Sequence, residues 1–301
     1  MNTVKVEITS RETIKPSSPT PHSLQNFKLS LLDQLSHPVY VPFIFFYAPA
    51  KNSKLNPTDR IAQIKTSLSE ILTRFYPVSE RLKDNSLIDC NNEGVDFLEA
   101  QVSCSLQEIR RQPEPNVLNN FLPQGYVNGT KSPTEFQLAA QVNTISCGGI
   151  TIDVCFLHKI FDGSMIGSFI NGWAATARGS GESVTPIFSG ASLFPPRVLP
   201  GLFPSNSSVA PITKGQGQIE VHDLVREMRS EITKFDSSYV RKMQADFGWG
   251  KPVWMSSAAM DFKNATVLMD TATGEAWVTL DEQDMPVFES NQEILKYASY
   301  C

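Results

Sequence analysis

The sequence lacks a long apolar run, a block of like charge, and any clustered set of cysteines and histidines. Its longest apolar stretch, VYVPFIFFYAP, contains Pro42 and is too short to cross a bilayer, so no membrane is expected as a partner. The segment MNTVKVEITSRETIKPSS has no apolar h-region, so no secretory signal is expected. No Lys/Arg block stands out and the formal net charge is −5, which sets nucleic acid aside. The five cysteines (Cys90, Cys104, Cys147, Cys155, Cys301) are odd in number and lack CxxC spacing. They read as reduced, mostly buried thiols of a cytosolic protein, with no disulfide framework. No Cys/His set has ligand spacing, so no metal is expected.

What is present is a globular composition. The chain has 301 residues, 41% of them hydrophobic and 19% charged, enough for one large domain or two smaller ones. Val4, Val6 and Ile8 alternate, which predicts a first strand within 1–11. VYVPFIFFYAP predicts a buried strand. NPTDRIAQIKTSLSEILTRFYP predicts a helix capped by Thr58 or Asp59, with Ile61, Ile64, Leu68, Ile71 and Leu72 on one face and Pro77 beyond its end. SLIDCNNEGVDFLEAQV reads as two short strands around an Asn-Asn-Glu-Gly turn. EFQLAAQVNTI and GGITIDVCFLH read as two more strands, and SMIGSFINGWAATARGSG as a helix ended by glycines. From Ser189 to Gln218 the chain is dense in Pro, Ser and Gly and reads as a linker. Val221, Leu224, Val225, Met228, Ile232 and Phe235 then keep helical spacing, ATVLMDT and EAWVTL look like strands, and a short helix follows from Asp281.

One stretch carries candidate chemistry. In HKIFDG a strand ends at His158, a tight turn follows, and Gly163 opens the next helix. Such a corner presents side chains at the rim of a sheet. A neutral imidazole there accepts a proton at cellular pH. The plain alternative is a satisfied structural histidine, with Asp162 serving the turn. Other candidates fall away. GSMIG does not fit GxSxG, and the DFG at Asp246–Gly248 comes without the other kinase signatures.

HKIFDG in mid-chain and DFGWGKP near the end, in that order, resemble the paired signatures of the plant BAHD acyltransferases. Members of that family move acyl groups from coenzyme A thioesters to alcohols or amines. SRETIKPSSPTP, LSLLDQL, SLSEILTRFYP, CNNEGVDFLEA, KSPTEFQLAAQV and EAWVTLDEQDM are similar to the same family, and most of all to its vinorine-synthase-like alcohol acetyltransferase branch. The resemblance implies a two-domain α/β coenzyme-A-dependent acyltransferase fold. Residues 1–195 would form a largely complete N-terminal domain with the HxxxD motif, 196–218 a linker at a deletion, and 219–301 the remnant of a truncated C-terminal domain with the DFGWG motif. It implies that His158 is the general base and that Asp162 points away and fixes the turn through an arginine. Gly163, Asp246, Phe247, Gly248, Trp249 and Gly250 would be structural, and Ser36 and Tyr40 would border the acceptor pocket. The implied co-substrate is an acyl-CoA, acetyl-CoA foremost, with no permanently bound cofactor. The implied acceptor is a hydroxyl, or an amine, of a plant specialised metabolite, and the implied enzyme is a cytoplasmic monomer. The chain departs from the family by being short by on the order of a third, a large share of a two-domain core. RVLPGLFPSNSSVAPITKGQ stands where strands, helices and the arginine partner of Asp162 should lie. A second reading follows from that gap: a truncated, catalytically impaired member that binds a partner or does not fold alone.

Overall fold

A computed structural model describes residues 4–29, 33–34, 38–49, 56–111, 115–126, 136–161, 163–180, 245–258, 265–269, 275–280 and 282–295. The expected helix at 221–235, the linker, Asp162, Ser36 and Cys301 lie outside the described residues.

The centre is a six-stranded sheet. Its strands are β1 (Val6–Ile14), β3 (Tyr40–Tyr47), β6 (Val95–Val102), β7 (Leu138–Ile145), β8 (Ile150–Leu157) and β9 (Trp254–Ser256). They lie in the order β1-β6-β7-β8-β3-β9, with β6 and β7 parallel and every other pair antiparallel. A smaller sheet joins β2 (Asn26–Lys28), β5 (Leu87–Asp89) and β4 (Arg81–Leu82), and β10 (Ala265–Met269) pairs with β11 (Glu275–Thr279). The two strands flanking Asn-Asn-Glu-Gly are therefore not a hairpin. β5 joins the small sheet while β6 inserts between β1 and β7. Pro42 does not end β3, because β9 pairs with that strand only at Ile44–Phe46, so no ladder bond calls on the missing Pro42 N–H, while the buried Pro42 carbonyl accepts from Ser257 Oγ at 3.1 Å.

Both faces of the sheet are covered, which explains why β8 is buried along its whole length. Helix α1 (Pro57–Arg74) lays Ile61, Ile64, Leu68, Ile71 and Leu72 on one face, beside helix α4 (Gly163–Ala177), which contributes Phe169, Ile170 and Trp173. Their common core takes Ile150, Ile152, Val154 and Phe156 from β8. The Trp173 indole donates to Ile64 O at 3.2 Å and Ser67 Oγ at 3.1 Å, so its polar edge is satisfied inside the core. The cap of α1 is Asn56 rather than Thr58 or Asp59. Asn56 Oδ1 accepts from Asp59 N at 2.9 Å, with Pro57 at the first helical position.

The opposite face holds Ile44, Phe46, Cys155 and Leu157. It is covered by the small sheet and by α2 (Leu106–Arg111), α3 (Pro115–Leu118) and the turn through Phe121 to Tyr126. Two short helices, α5 (Met285–Glu289) and α6 (Gln292–Leu295), follow the β10–β11 hairpin, and the first begins slightly later than Asp281.

Gly94 holds the chain where β6 enters beside β1. Its φ is +93°, and a Cβ there would meet Ile14 O at 2.6 Å. Gly94→Ala is expected to destabilise the protein by about 1–3 kcal/mol through left-handed backbone and backbone collision. Chemical denaturation checks this, and an unchanged midpoint would contradict it.

The second face also carries a buried polar group. Asp153 is fully buried on β8 and accepts hydrogen bonds from Thr151 Oγ1 and Asn143 Nδ2. Its Oδ1 and the Oε1 of Gln141, directly opposite on β7, have no donor among the described residues. Burial drives the Asp153 carboxyl well above the usual carboxylate range, against the lowering effect of its two donors. The folded form thus keeps its proton while the unfolded carboxyl ionises near ~3.9. Stability from this group is full below that value and is lost as pH rises toward the folded pKa. Asp153→Asn keeps the acceptor and, like the protonated carboxyl, offers a donor beside Gln141, but without a proton that must be held against ionisation. It is expected to raise stability at neutral pH by on the order of 1 kcal/mol and to flatten the stability–pH curve. Urea unfolding across the acid-to-neutral range measures both.

Candidate active site

The corner after β8 is fixed from several sides. Ile160 N and Phe161 N both donate to Leu157 O at 3.0 Å, closing the turn. His158 N donates to Val39 O at 2.8 Å, which ties the turn to the chain entering β3, and Leu157 N reaches Gln137 O at 2.8 Å. Phe161 is fully buried edge-on against Phe156, with ring centroids 4.7 Å apart, and also meets Phe169 of α4. Lys159 is buried too, and its ammonium donates to Asp33 O at 2.9 Å and Gln34 O at 3.0 Å. Burial lowers the Lys159 pKa, with Asp33 pulling the other way. Leu157, Lys159 and Phe161 point inward, and His158 is left half-buried at the rim. Gly163 begins α4 immediately after the corner, as the sequence implied.

Lys159 was not legible as a site residue. Its only signal was a lysine set between apolar neighbours in a segment that must pack. In the folded chain it ties residues 33–34, within LSLLDQL, to the backbone beside His158.

Tyr40 pairs with Leu157 across β3 and β8 and is buried in the second core. Its hydroxyl donates to Phe136 O and its ring meets Tyr126 edge-on at 5.1 Å. It therefore stands next to His158 in register, with its polar end engaged by the main chain.

The DFGWG segment closes on itself. Asp246 Oδ1 accepts from Gly248 N at 2.9 Å and Gly250 N at 3.0 Å, and both glycines have positive φ, +103° and +102°. Phe247 is buried against Tyr47 and Trp173. Trp249 stacks on Phe247 at 6.0 Å, and the Arg60 guanidinium lies 5.5 Å from the Trp249 ring centroid. Tyr47 Oη donates to Ala245 O at 2.7 Å, Gln63 Nε2 to Phe247 O at 3.3 Å, and Arg178 Nη1 to Asp246 O. Burial, then the charge of Asp246, pushes the Tyr47 phenol far up, so it remains a donor. Tyr47 ends β3 and Tyr40 begins it, so the loop and the His158 corner lie at opposite ends of that strand, roughly 23 Å apart at ~3.3 Å per residue. The two motifs are thus not brought together.

A sequence profile of the Transferase family matches residues 4–244 and 236–295. The chain belongs to the BAHD transferase family. Akuammiline synthase 2 of Alstonia scholaris is 44% identical over 196 residues, covering 64% of this chain. In that match the chain spans only 43% of the relative's length. Limonoid 21-O-acetyltransferase of Melia azedarach is 29% identical over 422 aligned positions, covering 98% of this chain and 99% of that protein. With 301 residues in the chain, more than a hundred of those positions face gaps. The crystal structure of vinorine synthase matches with a TM-score of 0.74 at 26% identity, over 98% of this chain and 99% of that one. This BAHD chain therefore has the acyltransferase α/β fold with a shortened second part. No helix among the described residues is long and apolar enough to cross a membrane.

Proposed function

We propose that this BAHD chain transfers an acyl group, acetyl foremost, from coenzyme A to a hydroxyl of a plant specialised metabolite, with His158 as general base. The observation that carries the reading is the pinned corner, which buries Leu157, Lys159 and Phe161 and leaves the imidazole half-exposed at the end of β8. His158 takes the hydroxyl proton as the oxygen attacks the thioester carbonyl. The tetrahedral adduct then collapses, the C–S bond breaks, and the thiolate of coenzyme A takes the proton back from the imidazolium. Holding both substrates at once supplies much of the rate, so no acyl-enzyme is required. Asp162 serves the turn and does not touch substrate. Ser36 and Tyr40 stand on the acceptor side, Tyr40 through packing. Residues 1–195 carry the histidine, 196–218 form the link, and 219–301 supply what remains of the second half. The enzyme acts as a cytoplasmic monomer with no resident metal or cofactor. The O-acetyltransferase activity named for the limonoid relative supports the acyl group and the kind of acceptor.

The gaps favour a second reading, a BAHD relative that binds without turnover, because the missing positions leave less protein to enclose the thioester. Calorimetry with coenzyme A, followed by turnover of acetyl-CoA against a panel of alkaloid and terpenoid alcohols, separates the two. Binding with turnover supports transfer. Binding without turnover across the panel supports the second reading, and no binding by a folded chain removes both.

A further inference from the structure

Cys104 and Cys147 are distant in sequence and adjacent at one end of the sheet. β6 and β7 run parallel with Val102 opposite Ile145. The pairing continues past both strands, since Ser146 N donates to Val102 O at 3.2 Å. Ser146 Oγ then donates to the Cys104 carbonyl at 2.8 Å. Cys104 and Cys147 each lie two residues past the last paired residues, Val102 and Ile145, where Ser146 still holds the two segments together. A disulfide spans Cα separations of about 4.4–6.8 Å, which neighbouring segments at a sheet end can meet. The Cys104 thiol responds to its neighbour as well: burial, then Glu108 and Cys147, raise its pKa.

The two thiols differ in access. Cys147 is exposed and Cys104 half-buried, whereas Cys90 and Cys155 are buried, which raises their pKa values, that of Cys90 to about 12. Cys147 is thus the exposed exception among the described thiols. Cys147 lines a concave site of about 560 Å³ together with Ser105, Leu106, Gln107, Arg110 and Arg111. The two arginines are exposed and close α2 at its last turn. A cavity with an accessible thiol, two guanidinium groups and a second thiol alongside fits a small disulfide that carries carboxylates.

We propose that Cys147 is a thiol–disulfide exchange site for carboxylate-bearing low-molecular-weight disulfides of the glutathione class, with Cys104 as the resolving thiol. The Cys147 thiolate attacks one sulfur of the disulfide. A protein–glutathione S–S bond forms, the original S–S bond breaks, and the departing thiolate takes up a proton. Cys104, once deprotonated, attacks the Cys147 sulfur and expels the second glutathione, which is also protonated. In sum, two protein thiols are oxidised by two electrons and one disulfide is reduced to two thiols. Half-burial of Cys104 makes the second step the slower one.

The test uses the reduced full chain with oxidised glutathione, read by intact mass and peptide mapping. The wild type is expected to end with Cys104 linked to Cys147. Cys104→Ser is expected to stall with one glutathione on Cys147, and Cys147→Ser to give neither product. The Arg110→Gln/Arg111→Gln variant is expected to react about tenfold more slowly with oxidised glutathione but at an unchanged rate with uncharged hydroxyethyl disulfide. Modification confined to Cys301, or a Cys104→Ser protein that takes no adduct, would overturn the exchange site. Equal slowing with both disulfides, or with neither, would overturn the role of the arginines.

Discussion

His158→Ala is expected to lower acyl transfer by about 10²- to 10⁴-fold, the contribution of a positioned general base, while leaving the unfolding midpoint close to that of the parent. The two outcomes have separate causes. The turn is held by main-chain bonds, His158 N to Val39 O among them, and an alanine keeps all of these. The flanking anchors, Phe161 in the first core and Lys159 on the carbonyls of residues 33–34, do not pass through the imidazole. A half-buried ring also contributes less burial than a core side chain. Single-turnover assays with acetyl-CoA and an accepted alcohol, set beside urea denaturation, check both. A variant as fast as the parent would end the general-base role. A variant that loses activity only in step with its folded fraction would reduce the histidine to a structural residue.

Phe247→Ala is expected to destabilise the protein by about 3–5 kcal/mol, among the largest effects available from one aromatic truncation. Phe247 is 1% exposed and meets Trp173 edge-on at 5.2 Å, Tyr47 edge-on at 6.1 Å and Trp249 face-on at 6.0 Å. It thus ties a segment from the last quarter of the chain to helix α4 and strand β3. Removing the ring leaves a void among three aromatics, two of them fixed by hydrogen bonds, Tyr47 Oη to Ala245 O and Trp173 Nε1 to Ile64 O and Ser67 Oγ. Urea unfolding gives the magnitude. A loss under about 1 kcal/mol would show that the DFGWG loop lies on the first half without supporting it. Because the loop sits at the far end of β3 from His158, activity per folded molecule is expected to be unchanged.

The parts legible in sequence were those with local causes. Helix α1 was visible because Ile61, Ile64, Leu68, Ile71 and Leu72 repeat at helical spacing and Pro77 follows. β7 and β8 were visible as an apolar pair around glycines. The parts that were not legible depend on pairing between distant residues. The Asn-Asn-Glu-Gly turn looks like a hairpin, yet β6 finds β1, with Val6 opposite Val102. Nothing local separates those outcomes, because any half-buried strand suits either neighbour. In the candidate site, the motif pointed to His158, and the geometry places it at a rim. The anchoring by Lys159 stayed hidden, since an ammonium bonded to main-chain carbonyls leaves no pattern in side-chain types. Asp153 is one letter in an apolar strand, yet an acidic residue inside GGITIDVCFLH is itself a signal of a buried, partnered acid.

The attachment of β9 has a consequence for synthesis on the ribosome. β3 carries Phe43, Ile44, Phe45 and Phe46 near the N-terminus, and among the described strands its outer edge is met only by Trp254–Ser256. More than two hundred residues must therefore be translated before that edge finds its cover. During that interval the nascent chain presents an aromatic strand with unpaired amides, the kind of surface that draws chaperones or other nascent copies. Pro42, which offers no N–H, shortens the stretch on which a stranger could zip before Ser257 reaches its carbonyl.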